Sequence, residues 1–376
     1  MFEPIIEHLS IEILSPVHIG SGNMLKKGED FFVQNEKATV ISLDELINFY
    51  RSDKFNLSRI SEILENGGDL TEFYNRTKNQ LKNTYSITSA LHPAFEVREF
   101  YKDPFYNPIV PGASLKGSMR TIILWESILK EKEIKKKYLQ KINERNFQIE
   151  AIVFGRDAKK DPFKAVSIED VPFKPDNLSI YNAKIFDIKR YPGYGWKKTG
   201  RNSQIMDSIE EGTTISFEAL QPQSRANFTL TVDSFSVNNF EKNSFKTLFG
   251  NFWGNFCKIS KEYSRVTIEK EINFLDKTNS KGELNSIIAF LRRILKEVSA
   301  LDENSAVFRM AYGIGWQGMT GDYFDSEELK RIRSVKKLGS NYSDIFPKTR
   351  RLIVDRNSSY NLQPVFPLGW VKIRRT

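Results

Sequence analysis

Apolar and polar positions begin to alternate almost at once. Residues 5 to 14 read Ile-Ile-Glu-His-Leu-Ser-Ile-Glu-Ile-Leu, and the alternation of the second half predicts a half-buried strand. Phe31-Phe32-Val33-Gln34 and Ala38-Thr39-Val40-Ile41 flank Asn35-Glu36-Lys37 as a hairpin would, and Ser42-Leu43-Asp44-Glu45 has the pattern of a helix cap, with a helix starting near Leu43. Residues 51 to 90 are polar and broken at Glu65-Asn66-Gly67-Gly68-Asp69, which predicts a partly helical insertion over the core. A helix beginning at Ser114 packs through Ile122, Ile123, Trp125 and Leu129, then becomes strongly charged from Lys130 to Lys141. Strands are predicted over residues 165 to 170, 178 to 188, 213 to 220 and 226 to 236. Asn238-Asn239 then breaks the pattern and places a domain boundary near 237. Beyond it Leu284, Ile287, Ile288, Leu291, Ile294, Leu295 and Val298 form one helical stripe.

Charge adds a partner class to this outline. The 376 residues carry 56 Lys and Arg against 47 Asp and Glu, a net charge of +9 that suits a polyanion when a binding motif accompanies it. One cysteine excludes an intrachain disulfide and a Cys-rich zinc site, and Cys257, among Phe252, Trp253 and Phe256, reads as a small buried apolar residue. No apolar run reaches membrane-spanning length and the N-terminus lacks the pattern of a signal peptide, so the expectation is a soluble cytoplasmic protein. The three histidines, His8, His18 and His92, have no metal-ligand spacing, and no metal or cofactor is expected.

Four segments carry candidate chemistry. Val110-Pro111-Gly112-Ala113-Ser114-Leu115-Lys116-Gly117-Ser118-Met119-Arg120 joins a turn to a helix start, with Ser114 as N-cap, Lys116 and Arg120 on one face, and Gly117 admitting a close backbone. Free N–H groups there would favour an anion; an ordinary amphipathic helix with a solvated basic face fits the same spacing. Gly20-Ser21-Gly22 follows the first strand and either cradles a phosphate or makes a tight turn, without the spacing of an ATP-binding loop. His18 beside it is a general base, an RNA donor, or a residue ordering the strand end. Arg309, Gly313, Gly315 and Trp316 place a cation, backbone donors and a stacking face within a few residues. Asp30 reads as strand-edge solvation. The loop Tyr191 to Lys198 either stacks on a base or forms a surface hairpin, and the basic runs Lys330 to Lys337 and Lys348 to Arg351 read as solvated.

The helix segment resembles the Pro-Gly-Ser-Ser-Leu-Lys-Gly-x-x-Arg signature of the RAMP superfamily, the RNA-binding subunits of CRISPR effector complexes. Ser15-Pro16-Val17-His18-Ile19-Gly20-Ser21-Gly22 and Met310-Ala311-Tyr312-Gly313-Ile314-Gly315-Trp316 resemble two further segments of that superfamily, in its order. Pro367-Leu368-Gly369-Trp370-Val371-Lys372 is most similar to the type III-A subunit of the Csm complex that caps the 3′ end of the guide. The resemblance implies an α+β fold of two ferredoxin-like (RRM-like) domains with antiparallel sheets, over residues 1–237, with the insertion at about 51–100, and 238–376. It implies a noncatalytic subunit that binds single-stranded CRISPR RNA, contacts other Csm subunits and supports 3′ trimming by cellular nucleases in antiviral defence. RNA contacts are then expected at His18, Gly20, Ser21, Gly22, Ser114, Lys116, Gly117, Arg120, Arg309, Gly313, Gly315 and Trp316. The alternatives are a metal-independent CRISPR-RNA endoribonuclease using His18 and Lys116, and a protein-contacting subunit of another type III complex.

Overall fold

The N-terminal strand, Ile5–Ile13, lies in the middle of a sheet whose other members come from far along the chain. The computed structural model describes residues 3–77, 80–81, 84–144, 148–190, 193–201, 203–338 and 345–376. Across this sheet the order is Ser305–Arg309, Trp370–Arg375, Ile5–Ile13, Arg225–Val232 and Val166–Ile168, with every neighbour antiparallel. Its register follows the alternation: Leu9, Ile11 and Ile13 are fully buried, so a slip by one residue would turn all three outward.

Helix Gly112–Lys130 lies between the strands Ile5–Ile13 and Val166–Ile168 in the chain, and helix Phe252–Thr278 between Arg225–Val232 and the returning C-terminal strand. Their buried faces meet where Trp125 packs edge-on to Tyr263, with ring centres 5.4 Å apart. Leaving out the edge strand Ser305–Arg309, this is the split β-α-β order of a ferredoxin-like unit.

The second sheet has 11 strands, and its spine is the 13-residue strand Leu178–Arg190. The first half of the spine pairs antiparallel with Ile215–Leu220 and parallel with Thr84–Ser89; its second half pairs with Gly193–Lys198 and Thr349–Arg356. The molecule is therefore α+β with mainly antiparallel sheets. Each sheet draws strands from both sides of residue 237, which itself lies in the short helix Ser234–Asn238. Within the segment expected as an insertion, helices Lys54–Glu65 and Thr71–Thr77 build a small core with Phe32, where Phe32 stacks on Tyr74 at 4.4 Å; Thr84–Ser89 and Glu96–Phe100 then rejoin the sheet.

The Tyr191 to Lys198 segment follows the hairpin reading in its antiparallel pairing with the preceding strand, but its rings are buried rather than at the surface. Tyr191 and Pro192 lie outside the described residues, but Gly193–Lys198 is a strand with Tyr194 and Trp196 buried against Phe186. Tyr194 donates its hydroxyl to Glu283 Oε2 at 2.9 Å, so neither ring is free to stack on a base. Cys257 is buried in helix Phe252–Thr278, and burial pushes its thiol pKa up to about 12. Asp30 sits half-buried at a turn, where its carboxylate accepts from the Lys26 amide at 2.8 Å.

Candidate nucleic-acid interface

The glycine segment leaves the first sheet at Ser15. Val17 bridges Leu220 and carries His18 beneath the second sheet, where the ring is 2% exposed among Phe100, Phe217 and Tyr312. His18 Nδ1 lies 2.7 Å from the Glu218 carbonyl, which can only accept, so Nδ1 carries the proton. Burial outweighs that bond and, with Arg98 and Lys102 nearby, pushes the imidazole down to about 4. At neutral pH the ring is uncharged and its Nε2 is a weakly basic acceptor; a general base near pH 7 would need a pKa close to that value.

Glu218 itself is fully buried. Its side chain accepts from Tyr85 Oη and from the Phe100 amide, each at 2.7 Å, and from the Lys102 ammonium, which is 4% exposed. This network holds the strands that frame His18, and burial beside the Glu218 carboxylate raises the Tyr85 pKa well above its ordinary value.

Gly20–Lys26 is a strand whose first residues bulge away from Glu96–Phe100: pairing runs from Gly20–Phe100 directly to Met24–Arg98. Ser21, Gly22 and Asn23 are left standing out, and Glu99 ties them down by accepting from Ser21 Oγ at 2.8 Å and Asn23 Nδ2 at 2.9 Å. Gly20-Ser21-Gly22 is thus the opening of a bulged strand rather than a tight turn. With His18, Arg98, Ser114, Ala311 and Tyr312, Gly20 and Gly22 line an open cleft of about 310 Å³. Three segments separated by roughly 90 and 200 residues converge there.

The convergence has a backbone cause. Tyr312 N donates to the His18 carbonyl at 3.1 Å, Met310 N to the Gly369 carbonyl at 2.8 Å, and Gly369 N to the Pro16 carbonyl at 2.9 Å. Gly369 has φ +89°, and a Cβ on it would lie 2.2 Å from the Met310 oxygen, so only glycine closes this clasp. Tyr312 stands between two guanidinium groups, Arg98 at 5.5 Å and Arg351 at 5.2 Å from its ring centre.

The helix start is capped differently from the expectation. The helix starts at Gly112 with Pro111 as N-cap, and Ser114 lies inside the first turn with its amide donating to the Pro111 carbonyl. An anion is already present at this helix start: Asp170 Oδ1 accepts from Gly112 N at 2.8 Å. Gly112 is required by packing, because a Cβ there would be 2.0 Å from the Ile168 carbonyl oxygen.

Lys116 and Arg120 also differ from the expected pair of open phosphate ligands. Lys116 Nζ donates to the Val166 carbonyl at 2.7 Å, and the Arg120 guanidinium pairs with Asp161 at 3.0 Å while lying 3.9 Å above the Phe154 ring. Neither lines the cleft; both fasten the helix to residues 153–166. Gly117 is exposed with open space where a Cβ would project, so the helix face remains smooth there.

Arg309, Gly313, Gly315 and Trp316 fall on the other side of Tyr312, lining a separate cavity of about 720 Å³. Arg309 is half-buried, with Nε donating to the Leu368 carbonyl at 2.6 Å; desolvation lowers its pKa to about 10, so it stays cationic. The run Lys348 to Arg351 faces this cavity too, contrary to the solvated reading: Arg350 pairs with Glu271, and Lys348 lies 3.4 Å from Asp187. Sequence reading passed over Arg98, because its exposed place on a polar strand matches any surface arginine. Among the described residues no three His, Cys, Asp or Glu side chains cluster as metal ligands, and no helix is long and apolar enough to cross a membrane.

A ferredoxin-like unit with three glycine-bearing segments gathered beside its first helix defines a class, and the family profile of the RAMP superfamily matches residues 10–318. The chain belongs to that superfamily. Among curated proteins it is similar to CRISPR system Cms protein Csm5 of Streptococcus thermophilus, 30% identical over 138 residues, covering 31% of this chain and 37% of that protein. It is also similar to the protein of that name from Enterococcus italicus, 22% identical over 245 residues, covering 56% of this chain and 58% of the relative. The matches thus span between about a third and three fifths of the curated relatives' length. Among solved structures, it resembles a chain of the Csm-crRNA-target RNA ternary complex of a type III-A CRISPR-Cas system, with TM-score 0.72, 21% identity, and coverage of 98% of this chain and 100% of that one. The crystal structure of T. onnurineus Csm5 follows with TM-score 0.64, 18% identity, and coverage of 96% and 99%. These two likenesses carry the fold.

Proposed function

We propose that the chain is a noncatalytic, crRNA-binding subunit of a type III-A Csm complex in the cytoplasm, seated at the 3′-proximal end of the guide. The observation that carries this reading is the convergence of three distant segments on one open cleft, with an exposed cation at Arg98 and bulged backbone at Gly20 to Asn23. Such a cleft offers a sugar-phosphate strand amide donors, the Ser114 hydroxyl and one guanidinium, beside the bare helix surface at Gly117. The likeness to Csm5 proteins supports the complex and its other subunits as partners, and 3′ trimming by cellular nucleases belongs to the same reading.

His18 serves the cleft as a neutral acceptor and a packing residue. Its low pKa and its tether to Glu218 favour binding over general-base cleavage. The test is incubation of the protein with labelled single-stranded repeat-derived RNA, without metal and then with magnesium, reading retention and cleavage from the same samples. Retained, uncut RNA whose binding weakens in Arg98→Ala supports the proposal. A discrete cut that disappears in His18→Ala sinks it, and absence of retention favours a protein-contacting subunit.

A further inference from the structure

The 720 Å³ cavity beyond Tyr312 has the size of a small-ligand site and a lining of unusual charge for a gap between a sheet and a helix. Strand alternation puts Ile185 and Asp187 on its wall, with Arg351 paired beside Ile185 and Thr349 beside Asp187. Seven cationic side chains line it against three carboxylates. The carboxylates are taken: Asp187 by Lys348, Glu271 by Arg350, and Asp322 by Lys270. Arg309 is bonded to backbone carbonyls, while Lys197 and Arg351 line the wall without a carboxylate of their own.

Orphaned polar atoms gather on the same wall. Among the described residues, Arg351 Nε and Trp370 Nε1, both in residues lining this cavity, are buried donors without a hydrogen-bond partner. Trp370 is 4% exposed. Buried polar atoms are almost always paired, so a cluster of exceptions around a hollow points to a partner that is not protein. Trp316, 5.2 Å from Phe346 between ring centres, supplies an aromatic surface in the same lining.

We propose that this cavity is a nucleotide pocket, taking one base against Trp316 and its phosphate against Lys197 and Arg351. A flat ring with acceptor edges satisfies the aromatic wall and the two orphaned donors together, and the cationic excess selects the phosphate. The nucleotide is either free or the end of a strand lying in the cleft, whose Tyr312 ring is 5.2 Å from the Arg351 guanidinium of this cavity's lining; the strand form rests on the RNA-binding reading above.

Two arms test the pocket on the full chain. In one, AMP, GMP, CMP and UMP are titrated while tryptophan fluorescence is followed. In the other, single-stranded RNA carrying 4-thiouridine at its 3′ terminus or internally is irradiated and the crosslinked peptide mapped. The expected result is a saturable response to at least one mononucleotide, or a terminal crosslink on the peptide holding Trp316 or Phe346. Trp316→Ala should weaken it about tenfold by loss of stacking. Lys197→Glu, near the end of strand Gly193–Lys198 and with folding checked by circular dichroism, should weaken it several-fold. No saturable response, together with crosslinks confined to the cleft, overturns the pocket, as does a response that neither substitution changes. RNA retention in the same samples separates the two ideas: RNA held with the cavity empty removes only the pocket, and RNA not held removes the strand form while the mononucleotide titration decides the free form.

Discussion

Replacing Glu218 with leucine tests how the cleft is held in shape. The carboxylate has no exposed surface and is the acceptor for a 4% exposed ammonium, a phenol and a backbone amide. Its removal leaves the buried Lys102 ammonium with only the longer contacts to Glu99 at 3.5 Å and the Phe100 carbonyl at 3.4 Å, and breaking a buried pair from one side costs about 3–5 kcal/mol. Lys102→Met should cost less, because the Tyr85 hydroxyl and Phe100 amide still serve the carboxylate. The double variant replaces both charges by apolar groups of similar length and should lose only about 1–2 kcal/mol, so the two single losses should exceed the double by about 2 kcal/mol or more. Urea unfolding followed by tryptophan fluorescence gives the four stabilities of the cycle. A Glu218→Leu loss below about 1 kcal/mol, or a double variant that loses the sum of the singles, would refute the reasoning.

Other expectations follow from the same contacts. Gly112→Ala pushes a Cβ against the Ile168 carbonyl and should cost about 1–3 kcal/mol or more, seen as a lowered melting temperature. His18 is lowered from 6.5 to about 4, so the unfolded chain binds the extra proton between those values: its contribution is full above about pH 6.5 and falls by roughly 1.4 kcal/mol per pH unit down to about pH 4. Unfolding measured from pH 7 to 4.5 should show that slope in the parent and a shallower one in His18→Asn. Arg98→Ala should weaken RNA retention and reduce the salt slope by about one, whereas Arg120→Ala should lower thermal stability and leave the slope nearly unchanged.

The local elements were legible because periodicity reports one face at a time. Ile5–Ile13, the hairpin Phe31–Gln34 with Lys37–Ile41, and the stripe of helix Asn285–Ser299 all follow from alternation or a 3.6-residue repeat. What lay hidden depends on contacts between distant residues. The Lys348 to Arg351 run looks solvated until Glu271 and Asp187, which pair with it, are brought alongside by a helix and the spine strand. Tyr194 and Trp196 look like a recognition loop because the strand they occupy is paired on both sides only in three dimensions. Lys116 and Arg120 were placed correctly on one helix face, but the carbonyl and carboxylate that engage them lie 40 to 50 residues further on. The glycine segments were the reverse case: their spacing gave no geometry, and only the folded chain puts Gly20 and Gly22 beside Ser114 and Tyr312 while Gly313 and Gly315 turn to the other cavity.

The pairing of Ile11 with Ile373 gives the first sheet a demanding assembly order. During synthesis the strand Ile5–Ile13 can meet Arg225–Val232 only after some 230 residues, and its other edge stays open until the segment from Trp370 to Arg375 has left the ribosome. An open, alternating apolar edge is a template for pairing with another chain, and closing so long a loop is slow. A transcript cut short by even a few codons before Trp370 would yield a product with that edge uncovered and prone to aggregate.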